Sequence, residues 1–191
     1  MPEFISAEMQ DLRTRVEALL VELEDLEDAE ANDVDRRKAV IAKSKEYGIF
    51  QLTQSEEFGG SGAGPLALTI ARESVASANS SMGGFVLGPD PGFLRNLTGE
   101  MKSVYLDPVM QGEKRWSFAF TEPSGATAPA RQTYAIRDGA DLVVTGSKSF
   151  VTGGAAADFF AVFVNVEELG DMAAGPAMVL VDSNLPGVEI T

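Results

Sequence analysis

The chain has neither cysteine nor histidine in its 191 residues, and it carries only 15 lysines and arginines against 29 acids. Without Cys there are no disulfides, thiolate nucleophiles or cysteine-based metal sites. Without His the usual general base and the commonest transition-metal ligand are missing. Any proton transfer must therefore fall to a carboxylate, Lys, Tyr or a cofactor. The shortage of basic residues leaves a net charge of −14, which offers no positive footprint to nucleic acid or to an anionic membrane surface. No apolar run reaches the ~20 residues that cross a bilayer, and no basic-then-apolar signal opens the chain. A cytoplasmic protein without membrane insertion is expected.

What is present is a core. Hydrophobic residues make up 45% of the chain, enough to fold one domain or one and a half small ones. Met9, Leu12, Val16, Leu19, Leu20, Leu23 and Leu26 recur at helical spacing, with Ser6 placed to cap the helix and Glu8 in its first turn. The acids Glu22, Glu24, Asp25, Glu27, Asp28 and Glu30 read as a solvated helix face rather than a metal site. A second helix is expected from about Val34 to Tyr47, stopped by Gly48. Phe58-Gly59-Gly60-Ser61-Gly62 reads as a turn, because no strand precedes it and no Gly-Lys-Ser follows. A third helix starts near Pro65 with Leu66, Ile70 and Val75, and a Gly/Pro-rich segment and a short helix around Glu100 to Met110 follow.

After Gly112 the period becomes that of strands: Trp116 to Phe120, Gln132 to Arg137, Asp141 to Thr145, Ser147 to Thr152, Phe159 to Val166, Ala177 to Asp182 and Val188 to Thr191. Asp138-Gly139 is a strong hairpin signal. The fold class is α+β, with an N-terminal α-helical domain over 1–112 and an antiparallel, barrel-like β domain over 113–191.

Several ordered motifs carry a family resemblance. Gly99-Glu100-Met101-Lys102-Ser103-Val104-Tyr105-Leu106-Asp107-Pro108, closed by Gly112-Glu113, is followed by Thr121-Glu122-Pro123, by Gly146-Ser147-Lys148-Ser149-Phe150-Val151-Thr152-Gly153 and by Ala157-Asp158. Upstream lies Ser55 to Gly62, with a Glu-x-x-Gly-Gly-x-Gly order. Together these resemble the acyl-CoA dehydrogenases over nearly the whole chain. Two positions depart from that pattern: Ser124-Gly125-Ala126-Thr127-Ala128 lacks the family's aspartate, and Phe150 stands where the family commonly has tryptophan.

The resemblance implies FAD as cofactor and an acyl-CoA thioester as substrate, with α,β-dehydrogenation as the reaction. It implies that Phe118, Phe120 and Thr121 meet the flavin's polar edge, that Phe150 lies against the ring and that Thr152 bonds near the hydride-accepting nitrogen. Thr127 would reach the diphosphate and the acyl-CoA, while Gly83 and Gly84 would leave room for the acyl group. Read from residue type alone, Thr121 and Thr152 fit β propensity, Phe150 a core aromatic, and Gly83 and Gly84 ordinary turns. Glu122 reads as a loop anchor bound to backbone, and Lys148 as a solvent-facing strand residue. No catalytic residue and no metal site is expected in this chain. Family members continue into a C-terminal four-helix bundle that holds the glutamate base. That half is expected from a second chain, or from sequence cut away by truncation, in a homo-oligomer or mixed assembly passing electrons to an electron-transfer flavoprotein or similar acceptor. A flavin monooxygenase or nitroalkane oxidase on the same fold, and a non-catalytic subunit, stay open as alternatives.

Overall fold

The apolar stripe of the first helix folds as its spacing predicts. In the computed structural model, which describes residues 5–27, 32–125, 131–139, 141–167 and 174–191, the stripe lies on α1 (Ala7–Glu27). Leu12, Val16, Leu19, Leu20 and Leu23 are buried there, with Met9 and Leu26 packed at the margin. Ser6 caps the helix, its Oγ accepting from Met9 N–H at 3.3 Å. The same core takes Val40 from α2 (Asp33–Glu46), Ala67 and Ala71 from α3 (Pro65–Ala78), and Ile49, Leu52, Met82 and Val86 from the connections. Asn32 caps α2 by accepting from Val34 and Asp35 N–H, both at 3.0 Å. On α3 Leu66 is exposed, and the buried positions are Ala67, Ile70, Ala71 and Ser74. On the acidic face Glu22 and Glu24 are exposed. Asp28 and Glu30 lie outside the described residues, as do the side chains of Asp25 and Glu27.

The Gly59-Gly60 turn is a packing requirement. A Cβ on Gly60 would stand 2.0 Å from the Gln54 carbonyl oxygen. The expected helix around Glu100 to Met110 is present but widened, α over Gly99–Met101 and Asp107–Met110 with a π segment, Lys102–Leu106, between. Pro108 has no N–H to donate to the carbonyl four residues back, which accounts for the lost α register there. Among the described residues no helix is long and apolar enough to cross a membrane.

The chain divides into this helical unit, Met1–Glu113, and a sheet unit, Lys114–Thr191. The sheet holds β1 (Trp116–Ala119), β2 (Tyr134–Asp138), β3 (Asp141–Thr145), β4 (Phe159–Val166) and β5 (Gly175–Asp182). β2 and β3 form the expected hairpin, closing at Asp138↔Asp141, and β4 pairs antiparallel with β5 along its length. The sheet is nonetheless mixed rather than antiparallel. β1 runs parallel to β4 (Trp116↔Phe159 through Ala119↔Val162), and β2 runs parallel to its far end (Tyr134↔Asn165). The long connection from Ala119 to Phe159 is what allows β1 and β4 to run the same way. Among the described residues the sheet is not closed into a barrel. Its buried face joins Ala119, Ala135, Phe160, Val162, Val164 and Val166.

Candidate functional site

The end of β1 is fixed by one carboxylate. Glu122 accepts from Gln132 N–H and Thr133 N–H, each at 2.9 Å, and from Lys148 Nζ at 3.0 Å. Both side chains of the ion pair are only 7% exposed. Burial by itself would raise the Glu122 pKa, but the two main-chain donors and Lys148 outweigh it and hold the group down to about 2. Glu122 is thus the loop anchor that its setting suggested. Lys148 is not the solvent-facing strand residue expected: it points inward and also donates to the Phe120 carbonyl at 3.2 Å. Burial pulls the Lys148 pKa down, and Glu122 only partly restores it.

The segment 147–152 was expected to be a strand and is an extended loop tied to β1 instead. Ser149 N–H donates to the Thr121 carbonyl at 2.8 Å, and Ser117 Oγ donates to the Thr152 carbonyl at 2.9 Å. Gly146 opens this loop at φ +150°, where a Cβ would stand 2.7 Å from Thr133 Cα. Phe150 has φ +55° and is 93% exposed. Left-handed backbone at a bulky non-glycine residue is uncommon and marks a conformation imposed by its surroundings. The structure therefore excludes the reading of Phe150 as a core aromatic. The C-terminal residues Val188 to Thr191, also expected as a strand, form none.

Phe118 and Phe120 project from the opposite face to Ala119, 47% and 45% exposed, with ring centroids 5.6 Å apart. Phe163 continues the row, stacked on Phe120 at 4.7 Å and 7°. The Thr121 and Thr152 residues are exposed while their carbonyls are held inward by Ser149 and Ser117. Phe118, Phe120, Thr121, Phe150 and Thr152 thus belong to two segments bonded to each other. Thr127 lies outside the described residues. Gly83 and Gly84 sit in a 3₁₀ turn of the helical unit, Gly83–Phe85. A Cβ on Gly83 would meet Val75 Cγ1 at 2.8 Å, so that position is packed, whereas Gly84 faces open space.

A separate cleft of about 770 Å³ opens on the sheet's apolar side, floored by Ala119, Phe160, Val162 and Val181. Phe150 borders it; Phe118, Phe120, Thr121 and Thr152 do not. This cleft is therefore distinct from the row of aromatic rings. Phe163 was missed in the sequence because its place beside Phe120 depends on the parallel register of β1 and β4, which no local pattern marks.

The family model described as acyl-CoA dehydrogenase, N-terminal domain, matches residues 6–113, and that for the middle domain matches residues 117–191. The chain belongs to the acyl-CoA dehydrogenase family. A 3-(aryl)acrylate reductase of Clostridium sporogenes is 32% identical over 168 residues, covering 83% of this chain and 44% of that protein. A crystal structure of the ChsE4-ChsE5 complex from Mycobacterium tuberculosis has the same fold, with a TM-score of 0.74 at 22% identity, covering 98% of this chain and 50% of that one. A glutaryl-CoA dehydrogenase from Mycobacterium smegmatis, crystallised in complex with FADH2, matches with a TM-score of 0.62 at 20% identity over 96% of this chain and 47% of its own. The chain spans about half the length of the relatives it matches. The matched domains are the family's helical and β parts, in the order in which the two units occur here.

Proposed function

We propose that this chain supplies the flavin-facing part of an FAD-dependent acyl-CoA dehydrogenase that converts an acyl-CoA thioester to its α,β-unsaturated form. The observation that carries the reading is Phe150: an aromatic side chain, 93% exposed, on a loop whose backbone is pinned on both sides of it. Holding so much apolar surface in water on a fixed loop is accounted for by a flat partner that covers it. The main chain from Phe118 to Thr121 and the hydroxyls of Thr121 and Thr152 add hydrogen-bonding capacity, so the residues fit an isoalloxazine. Bound FAD would supply the hydride acceptor. The residues of this chain orient it, exclude water from one side and fix its polar edge.

Glu122 does not serve as the base. A carboxylate held near pKa 2 by buried donors is too weak to take a proton from the α carbon of a thioester. The base then comes from outside these residues, in further polypeptide or a partner chain, within a cytoplasmic oligomer whose electrons pass to an electron-transfer flavoprotein or a similar acceptor. Gly84, open to space, supports a place for the acyl group at the 3₁₀ turn of the helical unit, and Thr127 is proposed to contact the diphosphate and the thioester. The relative named 3-(aryl)acrylate reductase favours a second reading, in which the same surface serves reduction of the conjugated double bond.

Phe150→Ala separates these roles from folding. In the flavin-free enzyme the substitution should change stability by no more than about 0.5 kcal/mol, as at other exposed positions. FAD affinity should fall roughly tenfold, in line with the ~1–3 kcal/mol that aromatic stacking on a nucleotide base contributes. Flavin absorbance of the purified protein and its bleaching by acyl-CoA read the result. Unchanged flavin content and bleaching in the variant would remove Phe150 from the site.

A further inference from the structure

Arg131 enters the sheet unit just ahead of β2, and its guanidinium carbon lies 3.8 Å from the centroid of the Phe163 ring and 5.2 Å from that of Phe120. A cation over aromatic faces is held by the rings' negative potential and does not need its N–H groups for that contact. Among the described residues no carboxylate pairs with Arg131. The nearest anchored acid, Glu122, already receives two main-chain N–H groups and Lys148. Arg131 stands close enough to Lys148 for their like charges to oppose each other, and Glu122 is already paired with Lys148, in a chain whose net charge is −14. A guanidinium on an aromatic row, with no hydrogen bond or ion pair to its fork among the described residues, is suited to a doubly acceptor-rich anion.

We propose that Arg131 is a phosphate-binding residue, presenting its fork from the Phe120–Phe163 stack to a phosphate of the bound nucleotide. The inference rests on the flavin reading above, because Phe120 belongs to the surface assigned there. Two molecules at such a site carry that chemistry, the diphosphate of FAD and the phosphates of coenzyme A. Removing the guanidinium should weaken binding of whichever one it contacts, and spare ligands that have no phosphate. Arg131 acts here as a binding residue and takes no part in proton or hydride transfer.

The test uses the complete enzyme, as wild type, Arg131→Ala and Arg131→Lys. Apoenzyme is titrated with FAD and with riboflavin, and KM is measured for an acyl-CoA and for the same acyl group on pantetheine. Loss of a charge-assisted contact predicts about ten- to hundredfold weaker binding of FAD or of acyl-CoA. Riboflavin and acyl-pantetheine should hold within about twofold, and the salt dependence of the affected ligand should flatten. A deficit confined to the FAD–riboflavin pair assigns the contact to the cofactor, and one confined to the CoA–pantetheine pair assigns it to the substrate carrier. Equal losses with the phosphate-free ligands, or no loss in either pair, would overturn the proposal. Arg131→Lys keeps the charge and most of the stem, so it should fold even if Arg131→Ala does not, and should show a smaller deficit of the same kind. A wild-type enzyme that binds neither flavin nor acyl-CoA would sink the underlying reading and this one together, whereas normal binding by the wild type and undiminished discrimination by both variants would sink only the role of Arg131.

Discussion

Replacing Glu122 with glutamine should destabilise the sheet unit by about 3–5 kcal/mol, the usual cost of leaving one member of a buried ion pair uncompensated. Lys148 would stay inside with its charge and lose its carboxylate, and the Gln132 and Thr133 N–H groups would face a weaker acceptor. Urea unfolding followed through Trp116, the single tryptophan and the first residue of β1, reads this directly. Combining Glu122→Gln with Lys148→Met should recover part of the loss, since an apolar pair tolerates that interior better than a lone ammonium. A loss below about 1 kcal/mol, the range of an exposed pair, would mean that the anchor is not buried in solution. Acid provides a second signature. The folded pKa of Glu122 is depressed to about 2, so its contribution is complete above the ordinary carboxylate value and disappears as pH falls from there towards 2. The difference in stability between wild type and Glu122→Gln should therefore shrink across that window and stay constant above it.

Gly146→Ala should be nearly as damaging, at about 2 kcal/mol or more, because both the backbone and the space oppose it. At φ +150° a side chain is disfavoured, and the new Cβ would lie 2.6 Å from Thr133 Oγ1 and 2.7 Å from Thr133 Cα. The main chain of Thr133 cannot withdraw, because its N–H is held by Glu122 and its carbonyl accepts from Asn165 N–H at 2.9 Å. The loop from 147 would have to move, taking Phe150 and Thr152 with it. Flavin content should fall together with the unfolding midpoint, in contrast to Phe150→Ala, which should lower flavin content alone. A Gly146→Ala protein with wild-type stability and full flavin would show that the crossing over Thr133 is not tight.

The helices were legible because their signals are local. Ser6, the stripe from Leu12 to Leu23 and the Pro65 start each act within a turn or two of where they stand. The β2–β3 hairpin was equally readable from Asp138-Gly139, and β4 from an apolar run, Phe159 to Val164, buried along most of its length. Parallel pairing of β1 with β4 was not legible, since it joins residues some forty positions apart and leaves no periodic trace. The β-prone residues Phe150, Val151 and Thr152 imitate a strand, but the backbone there is committed to isolated bonds with Ser117 and Thr121 and turns left-handed at Phe150. Lys148 was misjudged for a related reason, because its inward direction depends on where Glu122 lies across the loop. The residues proposed for the site came through a family pattern, while the places of Arg131 and Phe163 needed the register.

Hydrogen–deuterium exchange of the complete enzyme, with and without FAD, tests the central claim most directly. Peptides covering 118–122 and 147–152 should exchange markedly more slowly once flavin is bound, with peptides from α1, whose core lies in the helical unit, unchanged. Flavin bound stoichiometrically with no added protection in either segment would contradict the account.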